Sequence, residues 1–319
     1  MRLAEPFLKL PIRFDAEALK SEIQALPKSA WVPHATGFPG NEAVRLITVG
    51  GEETDDFNGQ MAPTENLHAC PYITEIMAEL DGVWGRSRLM GLGAGAEVPL
   101  HVDSHYYWRT HWRIHVPIIT NPAVTFSCGA ETVHMEAGDC WMFDSFRWHR
   151  VLNGGTEQRV HLVLDTVGTE RLRALMAEAR NGHSEAALLE PGDGPKRPLK
   201  FERVNYPKVM TPWEIREHLG FLAQNAAPHP LLQQVFSRLE EFASEWAAAW
   251  AQYGTDDDGL PVYRHLIERT KADLTAINGG GRLVLNNQVH LYLALENLIF
   301  VSALDQPQPA RHDTASAAA

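Results

Sequence analysis

The chain has 319 residues, of which 45% are hydrophobic and 21% are charged, and its formal net charge is -12. This length allows one large core, or a core domain with a smaller one, and the composition is that of a globular protein. Proteins that bind nucleic acid normally present a basic surface, so the acidic balance argues against nucleic acid as the main partner.

The N-terminal residues and the cysteines indicate the cellular compartment of the protein. Charged residues are scattered through the first fifteen positions, which therefore lack the apolar stretch of a secretory signal. No run approaches the ~18–20 apolar residues of a membrane span. Cys70, Cys128 and Cys140 are too few for a disulfide framework and show no CxxC spacing, so we expect buried apolar residues. The sequence therefore predicts a cytoplasmic protein without membrane contact.

Residues 1–83 are predicted to form helices and strands that pack on a central domain. Apolar residues at every third or fourth position predict a helix over 15–27, with Pro27 at its end. Another helix is expected over 71–80, and 43–49 has the pattern of a strand.

The segment 84–170 has a different pattern of apolar and turn-forming residues. Short alternating or apolar runs are separated by glycine, proline and asparagine, and they lie at 87–92, 111–119, 123–128, 131–137, 139–144 and 159–167. Strands at this density, with turn residues between them, are typical of a sandwich or barrel.

The rest of the chain is predicted to be mainly helical. A short helix and a linker over 171–204 lead to a helical region over 205–304, and the tail 305–319 has the composition of a disordered segment. The helical region is a candidate cover for a pocket, a candidate homodimer surface, or a stabilising addition.

Three helices are expected within that region. Thr211 and Glu214 form a candidate capping box, which predicts the start of one helix. Apolar residues line one face over 230–253 and again near 285–303, which predicts two more.

The strongest chemical signal is the HxD pair of His101 and Asp103. Residues i and i+2 of a strand point to the same side, so this pair places an imidazole and a carboxylate where they can share a metal ion. A later strand-like run, 138–151, contains His149. Two histidines and one carboxylate form the facial triad of non-haem Fe(II) oxygenases. We therefore expect His101, Asp103 and His149 to bind Fe(II).

Other ligand sets stay open, because an HxD pair also recurs by chance. His105 is a rival ligand, and with His101 it has the i, i+4 spacing of a helical zinc pair. No glutamate stands at the position that such a zinc site uses, which argues against it.

Two predicted strands carry arginine and histidine on one face. Arg159 and His161 alternate with apolar residues on one strand, as Arg113 and His115 do on another. A guanidinium can bind a carboxylate through two parallel hydrogen bonds, so this lining suits a dicarboxylate ligand. The alternatives are a surface position for Arg159 and a structural network for Arg113 and His115.

The segment 86–167 resembles the aspartyl/asparaginyl β-hydroxylase family, in the style of its bacterial proline cis-4-hydroxylases. The resembling segments are PLHVD (99–103), RIHV (113–116), GDCWMFDSFRWH (138–149) and QRVHLVLD (158–165). The resemblance implies an α+β protein with a double-stranded β-helix core, the jelly-roll or cupin-like fold, between N-terminal helices and a helical C-terminal region. It also implies a dioxygenase that uses Fe(II), 2-oxoglutarate and O2 to hydroxylate an unactivated C–H bond.

The resemblance implies roles for individual residues. His101 and His149 become iron ligands, and Arg159 binds the distal carboxylate of 2-oxoglutarate. Further cosubstrate contacts are expected from neighbouring polar residues of the same two strands, namely Arg113, His115 and His161.

Two features depart from the vertebrate peptidyl hydroxylases of this family. Those enzymes lack the carboxylate ligand that Asp103 supplies, so the chain is more similar to the bacterial amino-acid enzymes. They also carry a serine where this chain has Met90.

The preferred substrate is a small amino acid or related carboxylate. Its candidate contacts are Arg86, Arg88, Arg45 and His105. The second candidate substrate is a peptidyl aspartyl or asparaginyl residue. Rivals from other classes are a cupin-type metal enzyme that does not use 2-oxoglutarate and a non-catalytic jelly-roll binding protein.

Overall fold

The computed structural model describes residues 3–182, 186–192, 194–278, 283–305 and 314–316. The chain divides into two compact units. The first consists of Met1–Asp103, Tyr107–Asn205 and Pro309–Ala319, and the second of Ser104–Tyr106 and Tyr206–Gln308. Among the described residues, no helix has the length and apolar character that crossing a membrane requires.

Strands dominate the first unit. Its elements in chain order are β1 (Phe7–Phe14), α1 (Ala16–Gln24), β2 (Val32–Pro33), β3 (Asn41–Val49), β4 (Met61–Pro63), α2 (Glu65–His68), α3 (Pro71–Leu80), β5 (Val83–Leu92), β6 (Glu97–Asp103), α4 (Tyr106–Thr110, which starts one residue before the unit resumes), β7 (Trp112–Ile119), β8 (Val124–Cys128), β9 (Glu131–Val133), β10 (Asp139–Phe143), β11 (His149–Asn153), β12 (Arg159–Thr166), α5 (Glu170–Asn181), β13 (Ala187–Leu189) and β14 (Lys200–Phe201), with β15 (Thr314–Ser316) near the C-terminus.

Eight consecutive strands, β5 to β12, form the core. In the larger sheet the order is β13-β1-β10-β7-β12-β5-β3-β2, and in the smaller sheet it is β15-β6-β11-β8-β9. Apart from β8 and β9, which both lie in the smaller sheet, successive core strands alternate between the two sheets, and every neighbouring pair among the eight is antiparallel. This is the double-stranded β-helix, or jelly roll, so the predicted fold class is confirmed.

Strand β12 shows how the larger sheet is buried. All eight of its residues are buried, although four of them, Arg159, His161, Asp165 and Thr166, are polar or charged. On one side, helices pack along the sheet: α1 on β7, α2 on β3 and α5 on β1. On the other side, His115 of β7 contacts Phe126 of β8 in the smaller sheet. Charged residues that alternate along β12 therefore point into the space between the sheets.

Strand β1 was not expected from the sequence. Pro11 and the charged residues in this segment obscure the strand pattern. The structure pairs Phe7 with Phe143 of β10, and a register shift between Leu10 and Arg13 accommodates the proline. Proline is tolerated in a sheet at such irregularities.

The segment 171–204, which was expected to hold a short helix and a linker, contains two short strands in addition to helix α5. Thr169 caps helix α5 by accepting a hydrogen bond from the amide of Leu172, and Gly182 ends the helix in the left-handed conformation. Beyond the helix, β13 pairs in parallel with β1, and β14 pairs in parallel with β5. Both strands are too short to show a periodic pattern.

The second unit is helical. Its helices are α6 (Pro212–Asn225), α7 (Leu232–Tyr253), α8 (Leu260–Asn278) and α9 (Leu291–Leu295), and a π-helical turn over Glu296–Phe300 follows α9. The fully buried Trp246 of α7 packs on Phe242 and Tyr263, and its indole donates a hydrogen bond to the carbonyl of Met210.

The last helix is shorter than the sequence predicts. It begins at Leu291 rather than near 285, because Val284 and His290 form a bridge across a turn in which Gln288 has φ 65°. Of the expected disordered tail 305–319, Asp305 and Thr314–Ser316 lie within the described residues, and Thr314–Ser316 pairs with β6. All three cysteines are buried and free, as expected.

The Thr211 cap gives a test of the helical unit. Its side chain accepts a hydrogen bond from the amide of Glu214 at the start of α6. We expect Thr211→Ala to lower the free energy of unfolding by about 1 kcal/mol, because it leaves an amide of the first turn without its acceptor. Denaturant titration followed by circular dichroism measures the change. The control is Thr275→Ala, an exposed position in the last turns of α8, which should not destabilise. Equal unfolding free energies for the two variants would contradict the cap.

Candidate functional site

Three predicted ligands meet on paired strands of the smaller sheet. His101 of β6 lies directly opposite His149 of β11, and Asp103 lies two residues along on the same side of β6. The Nε2 atom of His101 is 3.8 Å from Oδ1 of Asp103, and Nε2 of His149 is 4.0 Å from Oδ2. One potential ligand atom from each of the three buried residues lies within 4.8 Å of the others. The structure thus brings together the residues that the sequence predicted as a metal site.

Main-chain carbonyl groups orient both imidazoles. Nδ1 of His101 donates to the carbonyl of Pro99 at 2.7 Å, and Nδ1 of His149 donates to the carbonyl of Arg147 at 2.9 Å. Each Nε2 therefore carries a free lone pair, which is the arrangement of metal-binding histidines. Burial and the nearby His101 lower the pKa of His149 to about 3. The ring is neutral at pH 7 and can bind a metal without losing a proton.

Asp103 is held in its ionised form by a buried network. Nη1 of Arg113 donates to Oδ2 of Asp103 at 3.2 Å, and Nε of Arg113 donates to Oδ1 of Asp165 at 3.0 Å. Burial alone would raise the pKa of Asp103, but Arg113 and the imidazoles of His149 and His101 outweigh burial and hold it below its usual value.

Arg159 stands in contrast to Arg113. It is 5% exposed, and within the part of the chain that the structure describes, its Nε and Nη2 atoms have no hydrogen-bond partner. Burial lowers the pKa of Arg159 to about 9. A buried guanidinium without a partner is costly, so its surroundings are those of a binding site for an anion.

Two histidines extend this set of unpartnered donors. Nδ1 of His115 lies 3.4 Å from Nδ1 of His161, whereas the Nε2 atoms of both rings have no partner among the described residues. Burial and the charge of Arg159 lower the pKa of both rings well below the usual value, so both are neutral. The sequence predicted that these residues share a face, and the strand register places them on neighbouring strands.

Arg86 and Arg88 of β5 are also buried, at 2% and 5% exposure. The guanidinium of Arg86 stacks on the ring of Phe57 at 3.8 Å and donates to the carbonyl of Asp55, and its Nε has no partner within the described residues. Arg88 donates to Nε2 of His34 at 2.9 Å. Burial and the charge of Arg86 lower the pKa of Arg88 to about 9.

The other two candidate substrate contacts already have partners. Nε and Nη2 of Arg45 donate to the two carboxylate oxygens of Asp55 at 3.3 and 2.7 Å. His105 belongs to the second unit, where its Nδ1 lies 3.2 Å from the hydroxyl of Tyr206. Contact of either residue with a substrate stays a prediction.

Three residues of this region were not singled out from the sequence. Asp165 lies on the same face of β12 as Arg159 and His161, so the alternation that identified those two could have identified it. Asp55 lies in a loop without a pattern. Trp108 covers the guanidinium of Arg113 at 3.9 Å, a contact that only the folded chain reveals.

The donor set fits a divalent metal ion of the Fe(II) type. Two buried imidazole nitrogens and one buried carboxylate form the ligand chemistry of the 2-His-1-carboxylate triad. A jelly roll that carries such a triad defines a class of metal-dependent double-stranded β-helix proteins.

A comparison with protein-family models agrees with the resemblance seen in the sequence. Residues 50–168, which are less than half of the chain, match the model of aspartyl/asparaginyl beta-hydroxylase. The match contains the metal triad and Arg159, and it supports a hydroxylase. A comparison with curated protein sequences finds no match.

Solved structures match parts of the chain at low similarity. An oxidoreductase of the 2OG-Fe(II) oxygenase family from Burkholderia pseudomallei is 11% identical and is matched over 49% of this chain and 80% of its own, with a TM-score of 0.35. A predicted oxalate decarboxylase from Thermotoga maritima is 17% identical over 44% of this chain and 97% of its own, with a TM-score of 0.26. A conserved protein with a double-stranded β-helix domain from Klebsiella pneumoniae is 19% identical over 28% and 73%, with a TM-score of 0.23. TM-scores this low support no statement about activity.

The contrast between the two arginines predicts opposite effects on stability. Arg159→Met removes a buried cation without a partner, so we expect the ligand-free protein to gain about 1–4 kcal/mol in its free energy of unfolding. Arg113→Met leaves Asp103 and Asp165 buried without their cation, so a loss of about 3–5 kcal/mol is expected. Denaturant unfolding of metal-free protein compares the two. Destabilisation of similar size in both variants would show that Arg159 is compensated in the folded protein.

Proposed function

We propose that this chain is an Fe(II)- and 2-oxoglutarate-dependent hydroxylase of a small carboxylate, a free amino acid being the favoured case. The observation that carries the proposal is the combination of a buried His101–Asp103–His149 triad with an unpartnered arginine, Arg159, inside the same jelly roll. The triad alone fits several metal enzymes, and the arginine is what favours 2-oxoglutarate.

His101, Asp103 and His149 would hold the iron, and the open positions would take the cosubstrate. When bound, Fe(II) and 2-oxoglutarate supply the oxidation of a C–H bond by O2, which yields a hydroxylated product, succinate and carbon dioxide. The protein's residues position these partners. The Nδ1 hydrogen bonds to Pro99 and Arg147 keep the imidazoles in place while ligands exchange.

Arg159 suits the distal carboxylate of 2-oxoglutarate. A planar guanidinium with buried, unused donors can form two parallel hydrogen bonds to one carboxylate. The free Nε2 atoms of His115 and His161 lie on the same side of the larger sheet and could donate or accept beside it, according to their tautomers. Binding would thereby compensate a charge that the ligand-free protein leaves without a partner.

The charges that remain favour an anionic substrate. Among the described residues, the aspartates near Arg86, Arg88 and Arg113 are Asp103, Asp165 and Asp55, and Asp55 is already paired with Arg45. The charge of Fe(II) and that of 2-oxoglutarate cancel. Positive charge is therefore left at Arg86 and Arg88, and a substrate carboxylate would compensate it. A neutral asparaginyl side chain would not.

The cosubstrate assignment is tested by turnover. We expect wild-type protein with Fe(II) and O2 to form succinate only when 2-oxoglutarate is present, even without a primary substrate. Arg159→Gln should raise the KM for 2-oxoglutarate by about 10–100-fold, because a hydrogen-bonded ion pair is lost. Arg150→Gln is the control, since Arg150 lies on β11 beside His149 but pairs with Glu97 at the surface.

The outcomes separate the rival functions. Oxygen consumption that does not need 2-oxoglutarate would favour a cupin-type metal enzyme, and metal binding without turnover would favour a binding protein. An unchanged KM for 2-oxoglutarate in Arg159→Gln would remove the assignment of Arg159.

The substrate assignment is tested with matched compounds. A panel of free amino acids and dicarboxylic acids, together with their primary amides and short aspartyl and asparaginyl peptides, is screened by mass spectrometry for the gain of one oxygen atom. We expect hydroxylation of a free acid and none of its amide. Arg86→Gln should then raise the KM for that acid by about 10–100-fold, whereas Arg171→Gln, which loses only a surface pair with Glu79, should not. Hydroxylation confined to peptides would contradict the proposed substrate class.

A further inference from the structure

Asp165 is a buried carboxylate that the proposed function does not use directly. It lies on β12, is 2% exposed, and stands opposite Arg113 of β7 in the strand register. Its Oδ1 accepts a hydrogen bond from Nε of Arg113 at 3.0 Å. Asp165 therefore has its main contact with a residue that itself contacts a metal ligand.

Arg113 is fixed from three directions. Asp165 binds its Nε, Oδ2 of Asp103 accepts from its Nη1 at 3.2 Å, and the ring of Trp108 covers the guanidinium at 3.9 Å. A guanidinium is planar, so two in-plane carboxylates and one stacked ring leave it a single orientation. Asp165 and Trp108 thus determine where the Nη1 donor of Arg113 points.

This orientation has a consequence for Asp103. The main chain of Asp103 is held by a hydrogen bond from its amide to the carbonyl of Ser145 at 3.0 Å. The carboxylate group can therefore change its orientation mainly by rotation about the side-chain bonds. Arg113 occupies Oδ2 and thereby stops that rotation. Oδ1 faces Nε2 of His101, and no guanidinium among the described residues is paired with it.

We propose that Asp165 is a positioning residue that acts through Arg113 to keep Asp103 a metal ligand through one oxygen only. A carboxylate that bound through both oxygens would fill a coordination position that the cosubstrate needs. This inference rests on the metal site of the proposed function and adds to it a residue outside the ligand set.

The test measures metal binding, so it does not depend on turnover. Metal-free protein is titrated with Co(II), whose visible absorption reports the number and geometry of its ligands. We expect Asp165→Asn to weaken Co(II) binding by about 10–100-fold, the range found for residues that orient metal ligands, and to change the visible spectrum. Asparagine keeps the shape and one acceptor but loses the charge that holds Arg113.

The control is Asp139→Asn. Asp139 is a buried aspartate at 1% exposure in the same sheet, and its charge is paired with Lys9 and Arg13 rather than with a metal-site residue. It should lower the melting temperature without altering the Co(II) affinity or spectrum. An Asp165→Asn variant that behaves in the same way would overturn the proposal.

A double-variant cycle tests whether Asp165 acts through Arg113. Arg113→Lys keeps the charge but lacks the planar group that directs separate donors to the two carboxylates, so alone it should weaken Co(II) binding about as much as Asp165→Asn. The double variant should then bind Co(II) no more weakly than Arg113→Lys, because that substitution already removes the contact through which Asp165 acts. Losses of Co(II) affinity that add up in the double variant would overturn the proposed route through Arg113. This comparison still applies if one of the single variants folds poorly. Failure of wild-type protein to bind Co(II) would instead contradict the metal site itself.

Discussion

The register between strands β6 and β11 is the constraint on which the candidate site depends. It places His101 opposite His149, while β11 is held on its other side by β8, where His149 pairs with Cys128. A shift by one residue would turn the side chain of His149 to the other face and separate the ligands. Because the ligands lie on paired strands rather than on loops, the geometry of the site is as rigid as the sheet that carries it.

Charge compensation then distinguishes the roles of the arginines. Arg45 is paired with Asp55, and Arg113 is shared between Asp103 and Asp165, so the protein itself supplies carboxylates to both, although Nη2 of Arg113 has no partner among the described residues. Arg159 has unused donors and no carboxylate within contact among the described residues. Since an unpaired buried cation lowers stability, its retention is better explained by a ligand than by folding.

The sequence was informative where chemistry follows a strand's alternation. His101 and Asp103, and likewise Arg159 and His161, could be paired by the i, i+2 rule, and the same rule extends to Asp165. The partners of Arg45 and Arg113 could not be found in this way, because they come from a loop and from other strands. Strand β1 was missed because its pairing with β10 is long-range and Pro11 masks its pattern. Local patterns thus identified the ligands, whereas tertiary contacts decided which charges were already compensated.

If the proposed function holds, the same charges would make the binding of metal and cosubstrate cooperative. Burial keeps His149 neutral, so a divalent ion at the triad would add positive charge beside Arg113, and Asp103 alone cannot balance both. Arg159 leaves a further cation within the same jelly roll. A dianionic ligand would compensate the metal at one end and Arg159 at the other, so its affinity must be higher when the metal is present. By thermodynamic linkage the metal is then bound more tightly in the presence of that dianion, and both together stabilise a fold that is electrostatically incomplete without them.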